Sequence, residues 1–289
     1  MRQLLYSVPE KYNEKPLLHF FKSELKFSTR IVQSLIHTDG SVKRNGEKIR
    51  VIDKIFTGDK IEIILPEKST SPLLWEKELD IVYEDEDILV INKPAGISCH
   101  PSHNHPNFTL ANAVAYYLKN TGDGEKAARA VGRLDKGTSG LIVFAKNIYS
   151  ASRLNGKIEK IYIALATKYI EESGIIEKPI YRPDPNKTLR DTGENGDYAL
   201  TEYEPLSHHG NYTLCKVRIK TGRTHQIRVH FKSIGAPLLG DDMYGAETTV
   251  NLTRPALHCS EVFFTHPATG NEMHFCVPLP EDIKKEILR

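Results

Sequence analysis

The segment RLDKGTSG, from Arg133 to Gly140, runs directly into the apolar stretch Leu141 to Phe144. This pattern predicts a tight loop that carries the carboxylate of Asp135 to the start of a buried strand. An ionised carboxylate on such a loop can attack a substrate as a nucleophile or remove a proton from it. A loop aspartate can also cap a turn, so this segment alone leaves both interpretations open.

Three segments together resemble the RluA-like family of RNA pseudouridine synthases. RLDKGTSG is similar to the family's RLDxxTSG signature, EKIYIAL at 159–165 resembles its KxYxAL strand, and TGRTHQIRVH at 221–230 resembles its GRTHQIRVH element. The segments PLLGDDMYG, which begins at Pro237, and RPALH, which begins at Arg254, extend the resemblance. It covers about residues 80 to 280 and implies an enzyme of this family.

The resemblance implies three catalytic residues. Asp135 matches the family's catalytic aspartate, Tyr162 matches the tyrosine that packs on the flipped base, and Arg228 matches the arginine that pairs with the aspartate. A cation beside Asp135 favours the charged form of the carboxylate. The phenol of Tyr162 is a further candidate for removing the proton from carbon 5 of the base.

Four more residues are implied to contact the substrate. Arg133 matches the arginine that helps to displace the target base from its stack, and the other three follow in the second motif: Arg223, His225 and Gln226. The family usually has His or Asn before the first arginine, whereas this chain has Gly132. We expect that departure to affect loop rigidity or target choice and to leave the carboxylate chemistry intact.

The implied reaction breaks the bond between ribose carbon 1′ and the base nitrogen, turns the base, and joins carbon 1′ to carbon 5. No atom or redox equivalent is gained or lost, so no cofactor or metal is expected, and the sequence has no Walker loop and no GxGxxG motif. The carboxylate either attacks carbon 1′ or removes a neighbouring proton so that a glycal forms, and the sequence leaves both routes open. A uridine inside a helix must be flipped out to react.

The first part of the chain predicts a small α+β domain, with helices near Leu17 and Ser28 and a hairpin turn at Asn45-Gly46. The stretch from about residue 16 to 66 resembles the S-four ribosomal-protein type of RNA-binding domain. Basic side chains on one edge of such a domain contact RNA phosphates. The resemblance implies six RNA-binding residues: Ser28, Arg30, Lys43, Arg44, Lys48 and Arg50.

Charge and pattern predict two domains: residues 1–66, a linker at 67–79, and a catalytic domain at 80–289. Residues 1–66 carry 12 Lys+Arg against 8 Asp+Glu, whereas residues 67–95 carry 3 against 8. In the catalytic domain, short β-branched stretches are interrupted by few helices, one of them at Thr109 to Leu118. This pattern predicts an α+β fold with a mixed, largely antiparallel sheet. The protein is expected to be a cytoplasmic monomer whose partner is RNA.

Other functional classes compete with a ribosomal RNA pseudouridine synthase. The target is expected to be large-subunit ribosomal RNA, with transfer RNA as the alternative, and the modified uridine cannot be read from the sequence. A non-catalytic RNA-binding or ribosome-assembly protein is a second class, and a metal-dependent hydrolase built on His100, His103 and His105 is a third. The third lacks a complete ligand set. The four cysteines form no CxxC pair and are expected to be reduced.

Overall fold

The computed structural model describes residues 2–65, 73–101, 107–122, 129–246 and 252–288. In these ranges the chain forms six α-helices: α1 Leu17–Ser23, α2 Thr29–Ile36, α3 Leu110–Asn120, α4 Ile148–Leu154, α5 Gln226–Ser233 and α6 Glu281–Ile287. None of these helices is long and apolar enough to cross a lipid bilayer.

The strands form two main groups along the chain. The N-terminal group is β1 Gln3–Ser7, β2 Lys15–Pro16, β3 Val42–Arg44, β4 Glu47–Lys48, β5 Lys54–Ile55 and β6 Lys60–Ile64. The second group begins with β7 Ile81–Glu84, β8 Ile88–Lys93, β9 Arg129–Val131, β10 Ser139–Ala145, β11 Glu159–Ala166 and β12 Gly174–Glu177. It continues with β13 Ile180–Tyr181, β14 Asp191–Thr192, β15 Leu200–His209, β16 Tyr212–Ile219, β17 Leu257–Thr265 and β18 Glu272–Cys276.

Four of the N-terminal strands form a sheet in the order β1-β6-β3-β4, against which α1 and α2 pack, and β2 and β5 form a separate pair. Ser28 caps α2 by accepting a hydrogen bond from the backbone N–H of Ile31 at 3.3 Å. Asn45 and Gly46 both have positive φ angles and form the predicted tight turn between β3 and β4. β1 was not predicted; it pairs with β6 and closes the sheet.

Ten strands of the second group form one sheet whose main path is β12-β15-β16-β11-β17-β10-β8-β7, with β18 on β17 and β9 on β10; β13 and β14 form a separate antiparallel pair. Every pair is antiparallel except β10 with β17, so the predicted α+β fold with a mixed, largely antiparallel sheet is confirmed. Gly140 makes the parallel contact possible, because a Cβ there would lie 2.2 Å from the carbonyl oxygen of Cys259. The last glycine of the RLDKGTSG segment, Gly140, is therefore required by the sheet.

The two groups have separate hydrophobic cores that meet at α4. Tyr149 of α4 packs into the N-terminal core, with its ring centroid 5.8 Å from that of Phe27. Arg2 reaches the carboxylate of Asp87 at 3.0 Å. Residues 67–72 of the predicted linker lie outside the described ranges, and its residues 73–79 have no regular secondary structure. The domain boundaries drawn from the sequence stay a prediction.

Candidate active site

Asp135 lies on the loop between β9 and β10, where the backbone N–H of Thr138 donates to its carbonyl oxygen at 3.0 Å and closes a turn. The loop begins at Gly132, whose φ of +76° lies in the left-handed region. Glycine adopts this region freely, and Asn and His adopt it more readily than most other residues. Gly132 and the His or Asn expected at this position therefore satisfy the same backbone requirement.

Two arginines flank the Asp135 carboxylate. Arg228, on α5, has Nη1 at 3.9 Å from Oδ2, and Arg133 has Nη2 at 3.7 Å from Oδ1. These distances allow ion pairing but exceed those of a direct hydrogen bond. The side chain of Asp135 is 16% exposed, so the carboxylate is reachable from the solvent side while two cations stabilise its charge. The fold thus brings together residues that are almost a hundred positions apart in sequence.

Arg228 has a closer partner that the sequence reasoning did not assign. Its Nε and Nη2 donate to the two carboxylate oxygens of Asp241, each at 2.7 Å, and both side chains are buried. Burial alone would lower the pKa of Arg228, but the hydrogen-bonded carboxylate of Asp241 raises it above its ordinary value. The guanidinium also lies over the ring of Tyr244, 4.9 Å from its centroid. Arg228 is therefore a fixed cation facing Asp135.

Tyr162 lies on β11 and is 5% exposed. With Thr138, Ile227 and Leu257 it lines a recess of about 60 Å³ that also borders Asp135. Burial, followed by the neighbouring Cys259 thiol and the Asp135 carboxylate, raises the pKa of Tyr162 well above its ordinary value of 10. The phenol is consequently protonated at neutral pH, and its ring forms one apolar wall beside the carboxylate.

A cavity of about 930 Å³ opens above Asp135. Among the described residues that line it, Asp135 is the one carboxylate, and five side chains are cations: Arg133, Lys136, Arg190, Arg228 and Arg254. A concave surface with this excess of positive charge attracts a polyanion and strengthens its association at low salt. The volume lies toward the upper end of the range that is usual for ligand pockets.

The second motif positions His225, Gln226 and Arg223 beside the cavity, but in different ways. His225 has a φ of +58° and its Nδ1 lies 2.8 Å from the Tyr244 hydroxyl; burial lowers its pKa to about 4, so it is neutral at pH 7. The buried amide of Gln226 bonds to protein groups on both its oxygen and its nitrogen. Arg223 pairs with Asp197 at 3.3 Å.

Two further cations support the Asp135 loop, and neither was assigned from the sequence. The ammonium of Lys93 is fully buried, donates to the carbonyl oxygens of Pro94 and Ile97 at 2.9 Å, and lies 3.5 Å from that of Lys136. Burial lowers the pKa of Lys93 to about 8. On the other side, Arg254 donates to the carbonyl oxygen of Gly137 at 3.3 Å. The loop is thus held from two directions.

The proposed histidine metal site falls largely outside the described ranges. His103 and His105 belong to residues 102–106, whose placement is not described, and His100 lines the cavity. Within the described part of the chain, no group of three His, Cys, Asp or Glu side chains is arranged to hold a metal ion.

The six residues predicted to bind RNA in the N-terminal part differ in how free they are. The Ser28 hydroxyl caps α2; Lys48 pairs with Asp39 at 2.6 Å, Arg50 with Asp53 at 2.9 Å, and Arg44 with Asp59 at 3.8 Å. Among the described residues, no carboxylate lies within ion-pair distance of Arg30 or Lys43. These two cations are the best placed of the six to meet a phosphate.

Comparisons with known proteins agree with this geometry. The family described as RNA pseudouridylate synthase matches residues 87–233. An uncharacterized RNA pseudouridine synthase of Bacillus subtilis is 35% identical over 297 residues, which cover 99% of this chain and 98% of that protein. The ribosomal large subunit pseudouridine synthase D of Haemophilus influenzae is 37% identical over 249 residues, covering 80% and 76% of the two chains.

A solved structure supports the same assignment. Human RNA pseudouridylate synthase domain containing 1 superposes with a TM-score of 0.57 and 27% identity, covering 70% of this chain and 83% of that one. The matched family segment includes Asp135, Tyr162 and Arg228, the three residues that meet at the recess. This chain therefore belongs to the RluA-like family of RNA pseudouridine synthases, enzymes that isomerise uridine to pseudouridine in RNA.

Proposed function

We propose that this protein isomerises specific uridines of large-subunit, 23S-type ribosomal RNA, as a cytoplasmic monomer and without a cofactor, and that Asp135 is its catalytic carboxylate. One observation carries the assignment of Asp135. It is the one carboxylate among the described residues that line the cationic cavity, and Arg133 and Arg228 flank it at 3.7 and 3.9 Å. A polyanion drawn into this cavity meets a charged carboxylate that is poised to react with a ribose.

Each residue around Asp135 has a distinct part in the reaction. Arg228 places a positive charge 3.9 Å from the carboxylate, and its bond to Asp241 prevents it from swinging onto Asp135 and blocking attack. Arg133, whose side chain is 56% exposed, is free to enter the gap that a flipped base leaves. Tyr162 presents its ring to the detached uracil while the base turns. Asp135 attacks carbon 1′ or removes a neighbouring proton. When carbon 1′ joins carbon 5, the proton lost from carbon 5 is balanced by the proton that the freed base nitrogen gains, so both routes return the carboxylate unchanged.

Two observations favour large-subunit ribosomal RNA as the substrate. Several relatives that cover most of this chain are named ribosomal large subunit pseudouridine synthase D. The N-terminal part also presents two cations for phosphate binding, the exposed Arg30 and the half-buried Lys43. Transfer RNA is the alternative substrate, because the catalytic cavity itself holds no feature that excludes it.

Pseudouridine mapping of total cellular RNA tests this function. We would compare strains that carry the wild-type protein, no protein, Asp135→Asn, and the control Glu281→Gln, which changes a carboxylate on α6 whose side chain is 74% exposed. One or more uridines of large-subunit ribosomal RNA are expected to lose their modification in the null and Asp135→Asn strains and to keep it in the control. The purified Asp135→Asn protein is expected to lose at least about 10⁴-fold in rate.

The outcomes separate the competing functions. Loss of a pseudouridine in transfer RNA alone would replace the ribosomal substrate and keep the assignment of Asp135. Loss in the null strain but not in Asp135→Asn would show that another residue carries the reaction. An unchanged RNA profile with a ribosome-assembly defect in the null strain would favour the non-catalytic RNA-binding class.

A further inference from the structure

Arg190, on the loop before β14, lines the cavity and keeps its main hydrogen-bonding edge unused. Its Nη1 donates to the carbonyl oxygens of Thr188 at 2.7 Å and Leu189 at 3.0 Å. Its Nε and Nη2 have no hydrogen-bond acceptor among the described residues. The Nε and Nη2 groups form the planar fork with which a guanidinium binds a carboxylate or a phosphate through two parallel hydrogen bonds.

Two other arginines of the cavity show what this edge does when the protein supplies an anion. Arg228 directs Nε and Nη2 to Asp241, both at 2.7 Å. Arg254 directs the same two groups to Asp282, at 2.7 and 2.8 Å. Arg190 has the same chemistry and the same cavity, but in the described part of the chain no carboxylate lies within ion-pair distance of it.

The residues around Arg190 make the binding of an anion to its guanidinium more favourable. Burial, and then the positive charge of the nearby Arg182, lower the pKa of Arg190. A neighbouring cation raises the free energy of a charged guanidinium, so a ligand that brings negative charge gains from both residues. Lys136, another cation lining the same cavity, also lacks a carboxylate partner among the described residues.

Tyr244 ties Arg190 to the catalytic residues. The backbone N–H of Arg190 donates to the Tyr244 hydroxyl at 3.1 Å, and that hydroxyl lies 2.8 Å from Nδ1 of His225. The Tyr244 ring lies under the Arg228 guanidinium, which faces Asp135. An anion held by Arg190 is therefore held at a fixed position relative to the reacting carboxylate.

We propose that Arg190 binds a phosphodiester group adjacent to the flipped uridine, through the Nε and Nη2 edge of its guanidinium. This inference rests on the proposed function and names the part of the substrate that Arg190 recognises in the cavity. RNA offers one anion per nucleotide, each with two non-bridging oxygens that match the guanidinium fork. A cavity of about 930 Å³ has room for the backbone beside the base. The hydrogen bonds from Arg190 to the phosphodiester position the adjoining ribose next to Asp135.

The test uses the full-length protein and a stem-loop of large-subunit ribosomal RNA. Its target uridine is the mapped position or, where mapping finds none, a loop uridine of the same RNA. Arg190→Ala and Arg190→Lys are compared with the wild type for RNA binding as a function of salt. Lys187→Ala is the matched control, because it also removes a positive charge from this loop. Lys187 pairs with Asp184 and does not line the cavity. The same RNA is also made with a single uncharged methylphosphonate on either side of the target uridine.

Arg190→Ala is expected to weaken binding about tenfold and to lower the salt slope by about 0.7 to 0.9, the value for one phosphate contact. Arg190→Lys is expected to keep the slope and to lose part of the affinity, because it keeps the charge without the fork. One of the two methylphosphonates is expected to weaken wild-type binding about tenfold and Arg190→Ala binding less than about twofold. The RNA-side change leaves the protein fold untouched.

Two results would overturn the inference. In the first, Arg190→Ala binds the RNA as tightly as Lys187→Ala at every salt concentration. In the second, each methylphosphonate weakens binding by the same factor in Arg190→Ala as in the wild type. Pseudouridine formation by the wild type is measured on the same RNA. If none forms while the coupling between Arg190 and one phosphate persists, the proposed function is wrong and the phosphate site stands. If pseudouridine forms without that coupling, the phosphate site is wrong and the function stands.

Discussion

The catalytic and N-terminal parts of this protein use charge in opposite ways. In the catalytic part, Lys93, Arg228 and Asp241 are buried at 0 to 6% exposure, and each is hydrogen-bonded to a partner that fixes its position. In the described N-terminal part, Ser41 is the one buried polar side chain, and the cations lie at the surface. The first arrangement is costly, since a charge taken out of water loses its hydration.

That difference indicates what each part contributes to function. Buried and oriented charges can hold a carboxylate such as Asp135 at a set distance from its partners, which a reaction requires. Exposed cations such as Arg30 bind phosphate with little geometric precision and add affinity that salt weakens. Removing one buried charge should therefore change stability and rate together, whereas removing one surface charge should change affinity by a small step.

The largest effect is expected at the buried pair of Arg228 and Asp241. Arg228→Met leaves the Asp241 carboxylate, which is 0% exposed, without a counter-charge, and we expect a loss of about 3 to 5 kcal/mol in the free energy of unfolding. The rate should fall by about 10² to 10³, because Asp135 loses the cation at 3.9 Å. Urea denaturation and single-turnover pseudouridine formation measure the two losses.

A double substitution separates stability from catalysis. Arg228→Met combined with Asp241→Leu removes both buried charges, so most of the stability should return. The rate should stay low, because the cation facing Asp135 is still missing. A double variant that regains both stability and rate would show that Arg228 acts only as a structural partner of Asp241.

The sequence identified the residues that meet in the candidate active site better than the contacts between them. Asp135, Tyr162 and Arg228 each stand in a recognisable segment, and the fold places all three around one recess. The partner of Arg228 was missed, because Asp241 lies in another segment and a pairing between distant residues depends on the path of the whole chain. The buried Lys93 was missed for a related reason: its acceptors are backbone carbonyls, which carry no residue-specific signal.

Helices and strands with a clear period were predicted, and those that depend on distant pairing were not. The capped helix α2 and the Asn45-Gly46 turn between β3 and β4 are local patterns. β1 is a short segment that becomes a strand because β6 offers it a free edge. Tyr149 likewise joins the N-terminal core although it belongs to the catalytic part of the sequence, since the two parts pack against each other at α4.

A smaller effect is expected on the stability at acidic pH, and this loss of stability should be confined to the catalytic part. His258 is 1% exposed, its Nδ1 lies 2.9 Å from the Ser139 hydroxyl, and burial lowers its pKa to about 4. Above pH 6.5 the imidazole is neutral in both the folded and unfolded states. Below that, the unfolded chain takes up a proton that the folded protein does not, so about 2 kcal/mol should be lost by pH 5.

The measurement is urea denaturation at pH 7 and pH 5, followed by the fluorescence of Trp75. The chain has one tryptophan, and its backbone N–H donates to the carbonyl oxygen of Asn112 in α3, so it reports on the catalytic part. His258→Asn should lose less stability between the two pH values than the wild type. The protection factors of the β6 amides against hydrogen exchange, which correct for the slower intrinsic exchange at low pH, should change little over the same range. Equal acid sensitivity in the variant would point to another buried group, such as His225.

The smallest effect is expected from the surface cations of the N-terminal part, and it tests whether local pairing predicts RNA affinity. Replacing Arg30 and Lys43 together with alanine should lower the slope of binding against salt by about 1.4 to 1.8 and weaken binding about tenfold. Replacing Lys48 and Arg50 should cost less, because Asp39 and Asp53 already neutralise them. Filter binding at several salt concentrations distinguishes the pairs. Equal losses of affinity from the two pairs would show that RNA displaces the aspartates. RNA affinity would then depend on the number of cations at this surface and not on their ion pairing.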